Sequence, residues 1–387
     1  MSLAGQLLLQ PGAPLGHSLV STRPAGLARW LRGQPAAALP GLLAGLFSLC
    51  GPVHHLGATL ALRSAAGGQA SPPGLGDRRR LQWHTLCTHL QHIALDWPRG
   101  LHGRSGPAPG TTDQGLALLA GSPLRLRAAD AAIDDADVAA AARWLEAQVF
   151  RQPLPDWLAA WRHAPQPALQ AWAQRHAGSG PVAAWLLAAE PSARQALPAM
   201  PALRVHADAA ALHALAADLP AWGATPQWQG RCAETGPGAR LADGAQALQC
   251  LTTPWLRLGA RLADLAQLAL PDDPANHLGA HRLSLGAEPA GPDAAIAWVE
   301  TGRGLLLQAV QLAPGAAGPL VADVRVLAPT DWHAHPAGGW AQALSQLDAD
   351  APTAAVHALV AAYDPCVPCQ ITTAAPVRPA TTEAADA

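Results

Sequence analysis

The chain has 387 residues, a formal net charge of −2, 50% hydrophobic residues and only 13% charged ones. A balance this close to neutral excludes the cationic footprint of a nucleic-acid binder, and the length is ample for a large core. All 25 basic residues are Arg, which with abundant Ala, Pro and Gly reads as genome base bias. Six cysteines in so long a chain are no disulfide framework; they are buried, catalytic or metal-bound.

The N-terminus lacks a basic region followed by an apolar run and a small-residue cleavage site. The longest apolar stretch, 39–62, is interrupted by Gly41, Gly45, Gly51, Pro52 and the pair His54-His55, so no membrane span is expected and the protein reads as cytoplasmic. Gly/Pro-rich breaks fall at 66–77 and 103–112. Between them, Trp83, Leu86, Cys87, Leu90, Ile93, Ala94 and Trp97 form a helical stripe. His84, His89 and His92 lie mostly off that stripe and read as a polar face toward solvent or a partner, with Cys87 in the core.

Asp134 or Asp135 is placed to cap a helix through 138–146, and Ala-rich helices continue to about residue 218. After a polar break at 271–276 the pattern turns to strands. Ala295–Glu300 reads as one strand, 301–304 as a turn, and 305–312 with 319–327 as a hairpin. Helices at 340–347 and 353–363 then lead into Asp364-Pro-Cys-Val-Pro-Cys369. The expected class is α+β and predominantly helical with a small late β-sheet. The unit is 1–372, helical to 280, with strands over 281–330 and helices plus the cysteine pair over 331–372. Residues 373–387 read as a disordered tail.

Two thiols three positions apart can close on one metal ion, but zinc, iron and thiol-redox sites all use that spacing. Cys50-Gly51 supplies another candidate thiol; Cys232 and Cys250 show nothing beyond small buried residues. Taken alone, Arg303 in its Gly-flanked turn is an ordinary surface residue, Thr330 after a Pro and a helix start is an N-cap, and His333 with His335 is a solvated loop pair.

Together these segments resemble the large subunit of NiFe hydrogenases, in the degenerate form of the HupK/HoxV-type hydrogenase accessory proteins. The catalytic family carries RxCGxCxxxH and DPCxxCxxH. Here the second survives as Asp364 to Cys369 with Thr372 in place of its final His, and the first only as Cys50-Gly51. Ser48 stands for the Arg, Val53 for the second Cys and Gly57 for the His. Glu300-Thr-Gly-Arg-Gly304 is similar to the family's Glu-x-Pro-Arg-Gly turn, Ala328-Pro-Thr-Asp-Trp332 to its Val-Pro-Thr-Thr-Trp segment, and Arg231–Pro237 to its Glu-x-Gly-Pro stretch. Leu15, before Gly16-His17, takes the place of the proton-relay Glu, and Gln91–Arg99 sits nearest the accessory branch.

The resemblance implies a large-subunit fold whose two chain ends meet at a metal pocket. It implies Cys366, Cys369 and Cys50 as metal ligands, and Arg303 and Thr330 as the groups that hold cyanide. Nickel in the family needs four thiolates, so none is expected here. An iron already carrying strong-field diatomic ligands needs fewer donors. The expectation is a non-enzymatic scaffold that transiently carries Fe(CN)2(CO) from a maturation chaperone complex to the apo large subunit, its tail uncleaved. A metal-free interaction module and a zinc or thiol-redox protein are the alternatives.

Overall fold

The structure is a computed structural model that describes residues 5–24, 30–47, 50–70, 72–101, 110–128, 131–217, 225–241 and 249–372. The tail expected over 373–387 lies outside the described residues, as does Ser48. The class is α+β and mostly helical, as the sequence implies.

The spine is a helix over Pro254–Ala269 whose every residue is buried. Thr253 caps it, accepting from the Leu256 N–H, and Pro254 occupies its first turn. Leu and Ala on most sides let other helices surround it. The bundle includes Leu75–Gln91, Asp135–Leu145, Leu154–His163, Pro165–His176 and Pro181–Ala189, hereafter α1 to α5, with the spine as α6. Gly259 is required where α6 is crossed: a Cβ there would lie 2.6 Å from Leu169 and Trp161 side-chain atoms. Phe150, Trp157, Trp161 and Trp172 fill that corner, with Trp157 and Trp161 stacked at 5.7 Å. Asp134 is the cap of α2, accepting from Asp137 N–H at 2.8 Å.

The spine also carries polar residues. Arg257, Arg261, Asp264 and Gln267 recur at helical spacing and are buried, so each needs a partner. Asp264 accepts from Arg240 (2.6 Å), Arg282 (2.9 Å) and His89 (2.9 Å). Arg257 forks onto Glu234 at 2.9 and 3.0 Å. Arg261 reaches out of the spine toward Asp364.

Against this bundle stands a four-stranded antiparallel sheet of β1 (Leu285–Gly291), β2 (Ala294–Glu300), β3 (Leu305–Ala313) and β4 (Leu320–Leu327), in that order. A helix over Gly51–Gly67, α7, packs on it. The expected three strands are present. The first strand escaped notice because Glu288-Pro-Ala-Gly291 carries strand-breaking residues at its bulged end.

The region before 280 is not purely helical. Leu7–Leu9 and Leu19–Ser21 pair antiparallel, and Leu7–Leu9 also pairs in parallel with Cys369–Ile371. Leu7 is opposite Cys369, and Thr372 N–H donates to the Leu9 carbonyl at 2.9 Å. The two ends of the described chain are thereby clamped together beside the cysteine pair. Three-residue strands leave no periodicity to read. Among the described residues no helix is long and apolar enough to cross a membrane.

Candidate metal centre

Cys50 is the N-cap of α7, and its N–H donates to the Phe47 carbonyl at 2.9 Å. Gly51 is needed after it, since a Cβ there would lie 2.8 Å from the Ala44 carbonyl oxygen. Burial pushes the Cys50 thiol up, against the nearby Arg303 guanidinium.

Cys366 and Cys369 follow the helix Thr353–Tyr363. Asp364 ends that helix in the left-handed region, φ 47°. Its carboxylate is inside: Oδ1 is 3.2 Å from Arg303 and 3.2 Å from His92 Nδ1, and Oδ2 is 3.0 Å from Arg261. Burial works against this charge, yet Arg303, His92 and Arg261 outweigh it and hold the carboxyl at about 2. The Asp364 carbonyl also accepts from Arg303 Nε at 3.1 Å.

Arg303 is no surface turn residue. Its turn is closed by Thr301 and Gly304, whose backbones exchange bonds at 2.8 and 3.1 Å. Gly304 has φ 140°, and a Cβ there would meet Thr235 at 2.5 Å, so this turn is locked against the 235–237 segment. The guanidinium spends Nε and one terminal nitrogen on Asp364. The other terminal nitrogen faces the Cys50 thiol at 3.9 Å.

Thr330 is not an N-cap either; Ala328 takes that position in the short helix Pro329–His333. The Thr330 hydroxyl donates to the Cys366 sulfur at 3.1 Å and accepts from the Cys366 N–H at 3.2 Å. Cys369 is pushed up to about 12, by burial and then by Cys366. Cys366 also acts on Cys50. The three do not close within 4.8 Å of one another. Among the described residues only His92, Asp96 and Asp364 bring three such ligand atoms that near, and the guanidiniums already on Asp364 make that trio a poor cation site.

The expectation of a solvent-facing histidine row is corrected. His89 is fully buried, giving Nε2–H to Asp264 and accepting from Arg261 at Nδ1 (3.0 Å); burial lowers it to about 4 despite Asp264. His92 is buried too, giving Nε2–H to the Ala361 carbonyl at 2.9 Å with Nδ1 2.8 Å from Asp96. His84 is half-buried, lowered to about 4 by burial and by Arg303. The polar face of α1 meets the polar stripe of α6 and the cysteine segment, so it is an interior face. His92–Asp96 forms a π-helical turn, which rotates these two side chains out of the α register.

His333 and His335 are likewise buried, bonded to the Thr235 carbonyl (3.0 Å) and to the Cys232 sulfur (3.2 Å). Cys232 is half-buried, whereas Cys87 and Cys250 are core as expected. Arg23, which no motif marks, pairs with Asp331 and acts on Cys366 and Cys50.

The positions that the resemblance marks as lost are filled. Val53 is 2% exposed. A Cβ on Gly57 would lie 2.6 Å from Gln308 Oε1, so Gln308 occupies the space a larger side chain there would need. Gln308 Nε2 donates to His54 Nδ1 at 3.0 Å, and His54 stacks on Phe47 at 4.2 Å.

No protein-family model matches the chain. It is 38% identical over 387 residues to "Hydrogenase expression/formation protein HoxV" of Cupriavidus necator, covering 95% of each chain. It is 30% identical over 350 residues to "Hydrogenase expression/formation protein HupK" of Bradyrhizobium diazoefficiens, covering 88% of each. Among solved structures it is similar to an NAD+-reducing [NiFe]-hydrogenase in the H2-reduced state, with TM-score 0.50 and 15% identity over 90% of this chain and 91% of that one. At that identity the likeness is one of fold.

Two predictions follow from this geometry. Asn adopts the left-handed region readily, so Asp364→Asn isolates the charge. A carboxyl held below its ordinary value stabilises fully above about 4, and that contribution fades as pH falls through about 2. The variant should be less stable at pH 7, with a pH-dependent part of roughly 2 kcal/mol. The difference in urea midpoint should narrow between about pH 4 and pH 2; a pH-independent gap would contradict it. Separately, Gly57→His should cost roughly 1–3 kcal/mol by overpacking. Adding Gln308→Ala should recover part of it; strictly additive losses in a double-mutant cycle would refute the shared space.

Proposed function

This chain belongs to the HoxV/HupK family of hydrogenase expression/formation proteins, and we propose that it is a non-catalytic carrier of an Fe(CN)2(CO) fragment. The fragment comes from the chaperone complex that assembles it and goes to the apo NiFe hydrogenase large subunit. The observation that carries this reading is what the site keeps and what it lacks. Arg303 meets Cys50 and Thr330 meets Cys366, while two positions that would carry further ligands hold a buried Val53, which cannot ligate, and Gly57, whose side-chain space Gln308 takes.

Each group has a distinct part. Iron(II) with two cyanides is neutral, so every thiolate that ligates it adds a negative charge. Arg303 and Arg23, both acting on Cys50 and Cys366, offset that charge. The Arg303 nitrogen that faces Cys50 has N–H groups to spare for a cyanide nitrogen. Such charge-assisted bonds are roughly twice as strong as neutral ones. The Thr330 hydroxyl can turn from Cys366 once that sulfur is on iron, and donate to the second cyanide.

Cys366 and Cys369 are the main iron ligands and Cys50 the third. Thiols must lose their protons to bind metal. Burial raises the Cys50 and Cys369 thiols, so metal binding there is coupled to proton release. Nickel finds no four-thiolate set, because Val53 cannot ligate.

Infrared spectroscopy tests this. Protein purified from cells that express the maturation machinery should show cyanide and carbonyl stretching bands. Cys366→Ala/Cys369→Ala should lack them, and Arg303→Lys should shift the cyanide bands more than the carbonyl band. A wild-type protein without bands overturns the carrier reading. If the Cys→Ala variants also leave hydrogenase maturation intact, it is an interaction module instead.

A further inference from the structure

Two clefts differ in what lines them. The smaller, about 100 Å³, lies between α7 and α1, and its lining, which includes Val53 and His84, has no thiol. The larger is about 390 Å³ and open to solvent on one side. Its walls are the π-turn, the helix start after it and the last helix, through Asp96, Arg99, Gly100, His357 and Val360. It is also lined by the cysteine segment, through Asp364 and Cys369 but not Cys366, and not by Cys50. At roughly 30 Å³ per water this space holds about a dozen waters, ample for one iron with three diatomic ligands.

The thiols differ in surroundings. Cys369 lines the cleft, Cys366 lies at the Thr330 hydroxyl and Cys50 beside Arg303, and the three ligand atoms do not all lie within 4.8 Å of one another.

On the carrier reading above, we infer that the iron fragment is loaded through the larger cleft and that Cys369 is the receiving thiol. The lining of this cleft includes one exposed charge of each sign, Asp96 and Arg99. In the exchange, Cys369 Sγ bonds to iron as one basic ligand of the delivering protein leaves it. The thiol proton goes to that leaving ligand, and iron keeps its oxidation state. Cys366 and Cys50 then engage in the same manner, drawing the fragment beneath Arg303.

The route is tested by mixing the chain with the chaperone complex carrying Fe(CN)2(CO) and following infrared bands on the chain after rapid separation. Gly100 lines the cleft, and a Cβ there meets only ordinary contacts, 3.7 Å from the His357 carbonyl, so Gly100→Trp sets a ring at the cleft without a clash at its Cβ. Gly100→Trp and, independently, Val360→Trp should lose fast loading while keeping the wild-type melting temperature. Leu56→Trp, in the smaller cleft, should load as wild type does. Cys369→Ser should fail to load, whereas Cys50→Ser should acquire bands at altered frequencies. Loading of both cleft variants at the wild-type rate, slowing by Leu56→Trp instead, or normal loading of Cys369→Ser would overturn the route while wild-type bands leave the carrier reading standing. Absence of bands in the wild type would overturn both.

Discussion

One buried carboxylate ties together three parts of the chain that are far apart in sequence. Asp364 ends the last helix in a left-handed conformation and receives Arg261 from the spine, Arg303 from the sheet turn and His92 from the π-turn. A charge taken out of water is costly unless it is paired, and removing one partner of such a pair commonly costs about 3–5 kcal/mol. Asp364 therefore sets where the cysteine pair starts, which way Arg303 points and how the π-turn is oriented. The parallel pairing of Leu7–Leu9 with Cys369–Ile371 fixes the other end of the same segment. Between these anchors the two thiols have little freedom, although the sheet that holds them has only three short strands.

The same economy explains what the pocket can bind. Arg303 and Arg23 both act on Cys50 and Cys366. Val53 is buried, and the space beside Gly57 is taken by Gln308, which donates to His54, itself stacked on Phe47. Gly57→His alone would therefore meet Gln308. Within a large-subunit fold this favours a single iron carried with its own diatomic ligands over a binuclear centre.

Much of the fold was legible in the sequence because periodicity and capping residues are local signals. The α1 stripe, the Asp134 cap and the late hairpin all belong to that class. The legible part of the site was the family motifs, and the structure brings Cys50, Cys366, Arg303 and Thr330 into one neighbourhood. What stayed hidden depends on what a residue packs against. His89 and His92 read as a solvated face; His89 is covered by the polar stripe on α6, some 170 residues later in the chain, and His92 meets the Ala361 carbonyl of the last helix. Arg23 carries no motif and matters only because its partner Asp331 stands beside Thr330. The strand Cys369–Ile371 pairs with Leu7–Leu9, a contact spanning nearly the whole sequence. Thr330 looked like a cap because a Pro precedes it, but the chain turns into helix two residues earlier.

The most direct test is a transfer measurement. The chain loaded with 13C-cyanide-labelled fragment, purified away from its donor, is mixed with unlabelled apo large subunit and the two are separated again. The account predicts that labelled cyanide bands leave this chain and appear in the large subunit, whose subsequent nickel insertion then yields active hydrogenase. Retention of the labelled bands on this chain, with none in the large subunit, would contradict a carrier and identify the iron as a resident group.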